Sequence, residues 1–212
     1  MSKIHLEIFD KERLEVFRKL KTFRKLGVLA GGTAIALQIK HRKSFDFDVF
    51  IKTRISDYLR QKARKTLGYT SQIIKDQTNQ LDIITPETIK VTFVKHPYPP
   101  LHSLVNTESI KLFGLHDLAS NKAYTIGRRG TWRDYVDLFF LLKEKYTPLD
   151  SIIKEATRRF GGEFNQRLFL EQLVYTKDIV DFGIDFLREE YEPNEIVRYF
   201  IKITKEYKKT KL

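Results

Sequence analysis

The chain has 212 residues, 42% of them hydrophobic, with 39 Lys and Arg against 27 Asp and Glu, a net charge of +12 and no cysteine. Such a length can bury a sizeable core and falls between one large domain and two small ones, while the lack of cysteine excludes a disulfide scaffold, a thiol nucleophile and a thiolate zinc site. No window approaches the roughly 18 uninterrupted apolar residues of a membrane helix, and the start, Met1-Ser2-Lys3-Ile4-His5-Leu6-Glu7, lacks a secretory apolar core, so the expectation is a soluble cytoplasmic protein with no membrane partner.

Phe9, Leu14, Val16, Phe17, Leu20 and Phe23 recur at helical spacing and predict a helix over 8–26, stopped by Gly27. An apolar run, Val28-Leu29-Ala30, a glycine pair, Gly31-Gly32, and a helical stretch from Thr33 to Lys40 then read as strand, tight turn and helix. Residues 45–51 alternate apolar and acidic, the period of a strand, which puts Asp46 and Asp48 on one side. A helix over 55–67 ends at Gly68, and three strand-like runs follow at 69–75, 80–85 and 88–94. The three prolines of His96-Pro97-Tyr98-Pro99-Pro100 interrupt regular structure. A domain boundary is expected just beyond them, separating residues 1–105 from 106–212. The second part reads as helices at 115–128, 131–145, 149–159, 164–175, 178–190 and 194–208. The expected fold class is α+β, a small mixed sheet with flanking helices followed by an all-helical domain.

The charge is unevenly placed. Residues 1–105 carry 20 Lys and Arg against 10 Asp and Glu, whereas residues 106–212 carry 19 against 17. A field of that sign concentrates nucleotides and nucleic acids without identifying either.

The chemistry lies in the same half. Two glycines at a helix start let the backbone approach an anion, where amide groups and the helix dipole favour negative charge. A triphosphate fits that description, and the Thr33 hydroxyl is a further candidate donor. Thirteen residues separate Gly32 from Asp46, and Asp48 follows two positions later. Two same-face carboxylates beside a phosphate cradle are what Mg²⁺-dependent phosphoryl or nucleotidyl transfer needs, because Mg²⁺ takes one or two carboxylates plus substrate phosphates. Arg42 and Ser44, just ahead of that strand, either reach the phosphates or solvate a turn.

The order apolar-Gly-Gly, thirteen residues, Asp-apolar-Asp-apolar resembles the signature of the polymerase β-like nucleotidyltransferase superfamily. Leu29-Ala30-Gly31-Gly32-Thr33-Ala34, His41-Arg42-Lys43-Ser44-Phe45-Asp46-Phe47-Asp48-Val49-Phe50, Asp117-Leu118-Ala119-Ser120-Asn121-Lys122-Ala123 and Arg128-Arg129-Gly130-Thr131-Trp132-Arg133-Asp134-Tyr135-Val136-Asp137-Leu138 together resemble the AbiE-type abortive-infection nucleotidyltransferase toxins. That resemblance implies a nucleotidyltransferase domain followed by a helical domain completing the active-site cleft. It also implies Mg²⁺, a nucleoside triphosphate, often tRNA as acceptor, and often a cognate antitoxin.

Carried over by position, the resemblance implies nucleotide binding by Gly31, Gly32 and Thr33, with Arg42, Ser44 and Arg129 as further candidates, and metal binding by Asp46 and Asp48. Lys122 and Asp134 match the later motif lysine and aspartate. Leu118, Lys122 and Ile126 share a helix face, so Lys122 either snorkels out of an apolar stripe or points at an anion. Asp134 equally suits the first turn of a helix capped by Thr131, and Arg129 and Arg133 either meet phosphate or pair with Asp134 and Asp137.

One departure stands out. Many superfamily members carry a third carboxylate on a later strand, but Ile89-Lys90-Val91-Thr92-Phe93-Val94 has none, and Asp82 on the preceding run is the nearest substitute. The five histidines, His5, His41, His96, His102 and His116, show no ligand spacing. The leading function is transfer of a nucleoside monophosphate from an NTP to a hydroxyl, foremost an RNA 3′ end, as the toxin of a toxin–antitoxin or phage-defence system. The alternatives are an inactive NTP- or RNA-binding module and, last, modification of a protein or a small molecule.

Overall fold

Asp10 begins the first α-helix: its carboxylate accepts the Arg13 amide at 2.8 Å, and its own backbone is extended. Helix α1 therefore runs from Lys11 to Lys19, flanked by 3₁₀ turns at Leu6–Ile8 and Leu20–Phe23. The single helix expected over 8–26 is broken because an N-cap aspartate starts a helix rather than continuing one.

The computed structural model describes residues 3–211, apart from the side chains of residues 129 and 211. The chain divides into two compact units, Met1–Pro99 with Ser103–Gly114, and Pro100–His102 with Leu115–Leu212. The first unit therefore extends past the boundary expected near residue 105. Its last segment is held by bonds to the start of the sheet unit: the Leu29 amide donates to the Lys111 carbonyl at 2.8 Å and the Phe113 amide to the Leu29 carbonyl at 3.0 Å, while Arg24 donates to the carbonyls of Thr107 and Ser109. Ile110, Leu112 and Phe113 are consequently buried.

The first unit is built on a five-stranded mixed sheet. Strand β1 (Gly27–Ala30) leads into helix α2 (Gly31–Ile39), β2 (Phe47–Ile51) precedes helix α3 (Asp57–Leu67), and β3 (Gln72–Gln77), β4 (Gln80–Ile84) and β5 (Lys90–Lys95) complete it. The order is β1-β2-β5-β4-β3, with β2 and β5 parallel and the other neighbours antiparallel. Alternation along the strands sorts the faces. Phe47, Val49, Leu81, Ile83, Val91 and Phe93 share the buried face by register. Phe23 packs on Phe93 with ring centroids 4.9 Å apart, and Phe17 lies against Phe47 at 6.3 Å. The other face carries Asp48, Thr92 and Asp82 in a row across three adjacent strands.

The second unit is helical: α4 (Leu115–Arg129), α5 (Trp132–Lys143), α6 (Leu149–Phe160), α7 (Gln166–Gln172) and α8 (Pro193–Lys211). Helix α5 begins in a capping box, with Asp134 accepting from the Thr131 amide at 2.8 Å. The helix expected over 178–190 does not form. Asp181 instead accepts the Gly183 amide at 2.9 Å, a local bond that competes with helical pairing at a residue already costly in a helix. The segment lies along α5 through aromatic contacts, Phe182 on Trp132 at 4.9 Å and Tyr191 on Phe139 at 4.9 Å. No helix among the described residues is long and apolar enough to cross a membrane.

Candidate active site

The junction of β1 and α2 is built on a backbone that only glycine adopts easily. Gly31 has φ +68°, and a Cβ built on it would fall 2.3 Å from Asp48 Oδ2. The cause is register: Ala30 is directly opposite Asp48 in the antiparallel β1–β2 pair, so the turn after Ala30 passes over the carboxylate. Gly32 follows inside α2 with no positive φ, and the first amides of this helix have no partners in the preceding turn. A glycine turn, a helix N-terminus and a strand carboxylate thus meet at one place.

Thr33 fixes the approach to that strand. Its hydroxyl donates to the Asp46 carbonyl, and its oxygen lies 2.7 Å from Ser44 Oγ. Thr33 is almost fully buried and engaged within the protein, so the observed bonds position Asp46 instead of presenting a hydroxyl to a phosphate. Arg42 is also buried, with Nη1 donating to the Lys43 carbonyl at 2.8 Å, which folds it back on its own turn. Asp46 and Asp48 are both half-buried. Their oxygen donors suit a hard divalent cation such as Mg²⁺, and the absence of a side chain on Gly31 lets the Asp48 carboxylate pack against the turn.

Asp82 shares the sheet face of Asp48 but lies two strands away, with Thr92 between them. That is a backbone separation of roughly 9.5 Å. Its carboxylate accepts from Gln80 Nε2 at 2.9 Å and lies 3.3 Å from Lys90 Nζ, with the residue only 4% exposed. Asp82 is therefore held by the sheet's own side chains, and the position beside Asp48 on β5 belongs to a threonine.

In the second unit, Lys122 neither snorkels out nor stands alone. Its Nζ lies 2.7 Å from Asp134 Oδ1 and 2.6 Å from Asp137 Oδ2, all three side chains being buried. The other Asp134 oxygen accepts from the Thr131 amide and hydroxyl, so its capping and lysine-pairing roles coexist. Burial raises the Asp134 pKa, but the Lys122 ammonium and the Thr131 amide outweigh it and leave the carboxyl below the ordinary aspartate value. Asp137 was not among the sequence candidates; its spacing of three residues from Asp134, one helical turn, was the available signal. Arg133 is exposed, and the side chain of Arg129 falls outside the described residues.

The histidines require a correction. His102 and His116, expected to be unrelated, come together with Glu155. Their separation along the chain hid this, because a loop and two helices bring them together.

The family model described as "Nucleotidyl transferase AbiEii toxin, Type IV TA system" matches residues 16–195. The chain is 28% identical over 213 residues to uncharacterized protein aq_aa25 of Aquifex aeolicus (strain VF5), covering 93% of this chain and 96% of that one. Among solved structures it is similar to a Helicobacter pylori protein described as a candidate nucleotidyltransferase, with TM-score 0.58, 18% identity and coverage of 96% and 100%. It is also similar to the nucleotidyltransferase toxin MenT4 of Mycobacterium tuberculosis H37Rv, with TM-score 0.57, 13% identity and coverage of 95% of this chain and 86% of that one. At these identities the structural likenesses show the fold, which is that of a nucleotidyltransferase.

Proposed function

From the premise that this chain belongs to the AbiEii nucleotidyltransferase toxin family, we propose that it transfers a nucleoside monophosphate from an NTP to a hydroxyl, the acceptor being an RNA 3′ end, foremost that of tRNA. The observation that carries this reading is the packing of Gly31 directly over Asp48. A side-chain-free turn at a helix N-terminus binds phosphate through backbone amides, and the neighbouring carboxylates hold the cation that accompanies a triphosphate. Gly31 and Gly32 bind the phosphates, Asp46 and Asp48 hold Mg²⁺, and Ser44 and Arg42 border the turn. Lys122 and Asp134 join the same reaction on the motif resemblance.

The acceptor oxygen attacks the α-phosphorus, a new P–O bond forms, the bond to the bridging oxygen breaks, and pyrophosphate leaves with its electron pair. A divalent cation bound at Asp46 and Asp48 would neutralise charge on the triphosphate and ease loss of the acceptor proton. The chain's part is positioning: Thr33 tethers the Asp46 backbone, and Gly31, having no side chain, lets the Asp48 carboxylate pack against the turn. The excess of basic residues in 1–105 favours a polyanionic acceptor, and single-stranded RNA ends reach a protein site more readily than duplex interiors. The family reading extends to a role as the toxin of a toxin–antitoxin or phage-defence pair with a cognate antitoxin.

Incubation with labelled NTPs, Mg²⁺ and total tRNA tests this. Labelling by the natural protein and its loss in Asp48→Ala is expected; labelling that survives the substitution would refute the assigned residues. A second reading, an NTP- or RNA-binding module without turnover, is favoured by Thr92 beside Asp48 and by the engagement of Asp82 with Lys90. Calorimetry showing Mg²⁺-dependent NTP binding with no pyrophosphate release would select it.

A further inference from the structure

His102, His116 and Glu155 lie wholly within the helical unit, apart from the aspartates assigned to nucleotidyl transfer. Their sequence positions differ by 14 and 39 residues, yet their donor atoms all lie within 4.8 Å of one another. His102 Nε2 is 3.0 Å from Glu155 Oε1, and His116 Nδ1 is 3.6 Å from the same oxygen. The two rings stack with centroids 4.8 Å apart. Donors around a tetrahedral zinc ion with ordinary bond lengths stand roughly 3.3 Å from each other, so the two separations to Glu155 already bracket that spacing.

Two further observations point to a ligand. Glu155 Oε2 and His116 Nδ1 are buried and have no hydrogen-bond partner. A buried acceptor left unsatisfied costs free energy, and so does a buried ring nitrogen. A cation held by His116 Nδ1 and the Glu155 carboxylate would give that nitrogen a partner. The surroundings also fix the donors in place. Asp117 accepts the Leu101 and His102 amides at 2.8 and 3.1 Å, which pins the backbone that carries the His102 ring. Asp117 is in turn held by Arg159, whose Nη1 lies 3.5 Å from its carboxylate and donates to its carbonyl at 2.8 Å. His116 sits in the first turn of α4, and Glu155 is on α6 one turn before Arg159.

We infer that His102, His116 and Glu155 form a divalent transition-metal site, best matched to Zn²⁺, that clips the 100–102 loop to α4 and α6. Two imidazoles and one carboxylate suit zinc and not Mg²⁺, which prefers an all-oxygen shell. The two histidine side chains are about two-fifths exposed, 41% for His102 and 43% for His116, so the site lies at the surface, where water can supply a fourth ligand. A three-ligand shell with an open position takes up and releases its ion more readily than a closed structural site. Binding requires neutral imidazoles, so it weakens in acid.

The test uses untagged, chelator-stripped full-length protein dialysed against Zn²⁺ alone, with bound metal measured by elemental analysis and the melting temperature recorded with and without the ion. The natural protein is expected to retain about one equivalent and to melt higher with zinc, since only the native state assembles the donors. Removing a direct ligand should weaken binding by at least the roughly 10- to 100-fold that loss of a supporting partner produces. His102→Ala, at an exposed loop position, and the near-isosteric Glu155→Gln should both show this while melting as the metal-free natural protein does. The Asp46→Asn/Asp48→Asn double variant should keep the zinc and its thermal shift, which separates this site from the proposed nucleotidyl-transfer site. Failure of the natural protein to retain zinc would overturn the inference, as would retention undiminished in His102→Ala and Glu155→Gln.

Discussion

Asp48 fills the space that a side chain on Gly31 would need: a methyl group on the glycine would sit 2.3 Å from the carboxylate oxygen. Register forces this approach, because β1 ends opposite Asp48 and the chain must then turn with φ +68° to enter α2. Replacing Gly31 by alanine therefore meets two penalties. The left-handed backbone costs about 1 kcal/mol for a residue with a Cβ, and relief of the overlap displaces the carboxylate. Gly31→Ala should lower stability by about 1–3 kcal/mol and abolish nucleotidyl transfer. Urea denaturation and pyrophosphate release check the two effects, and full activity in a variant of natural stability would contradict the geometry.

The two candidate acids on the sheet should behave differently. Asp48→Asn removes a donor from the proposed cation pair and should lower transfer by at least about 100-fold. Asp82→Asn lies two strands away, where its carboxylate is engaged by Gln80 and Lys90. It should retain transfer within about threefold while losing about 1 kcal/mol of stability from the weakened pairing. Parallel kinetics on the two variants, with thermal melts, decides this; a collapse of activity in Asp82→Asn would make it the third acid of the reaction.

Lys122 is buried between Asp134 and Asp137. Removing the ammonium takes away the counter-charge that the two close carboxylates share. Lys122→Met should therefore destabilise the protein by about 3–5 kcal/mol. A double-mutant cycle with Asp134→Asn should recover part of that loss, because one of the stranded charges is then gone. Additive losses in denaturant titrations would show that the three groups are not coupled.

Acid should expose the same cluster. The Asp134 carboxyl is held below its ordinary value of 3.8. A depressed folded-state pKa contributes stability that is complete above the unfolded value and is lost as pH falls through the folded one. The melting temperature of the natural protein should be nearly flat down to about pH 5 and fall below about pH 4. Asp134→Asn should be less stable at neutral pH and show a shallower acid decline. Identical pH slopes for the two proteins would remove Asp134 from the acid response.

Sequence patterns were informative where the physics is local. A glycine pair can only mean a turn or a close approach, and an alternating Asp-Phe-Asp-Val run puts its acids on one side of a strand, so the junction of β1, α2 and β2 was legible in order and type. Capping was legible too: Thr131 with Asp134 reads as a helix start, and it is one. Local bonds also misled where they compete. The apolar spacing of 178–190 suited a helix, but the Asp181–Gly183 turn and the aromatic anchors on α5 hold the segment irregular.

The sequence by itself determined the α+β class, the uneven charge and the position of the glycine turn relative to two aspartates, because periodicity, turn chemistry and composition belong to neighbouring residues. Only the tertiary structure decided which groups became partners. It put Lys122 between two aspartates, turned the Thr33 hydroxyl inward to Asp46, paired Asp82 with Lys90 and gathered His102, His116 and Glu155. Partner choice depends on how whole elements pack, and the side-chain energies that reward it act only after the backbone has brought distant residues within a few ångströms.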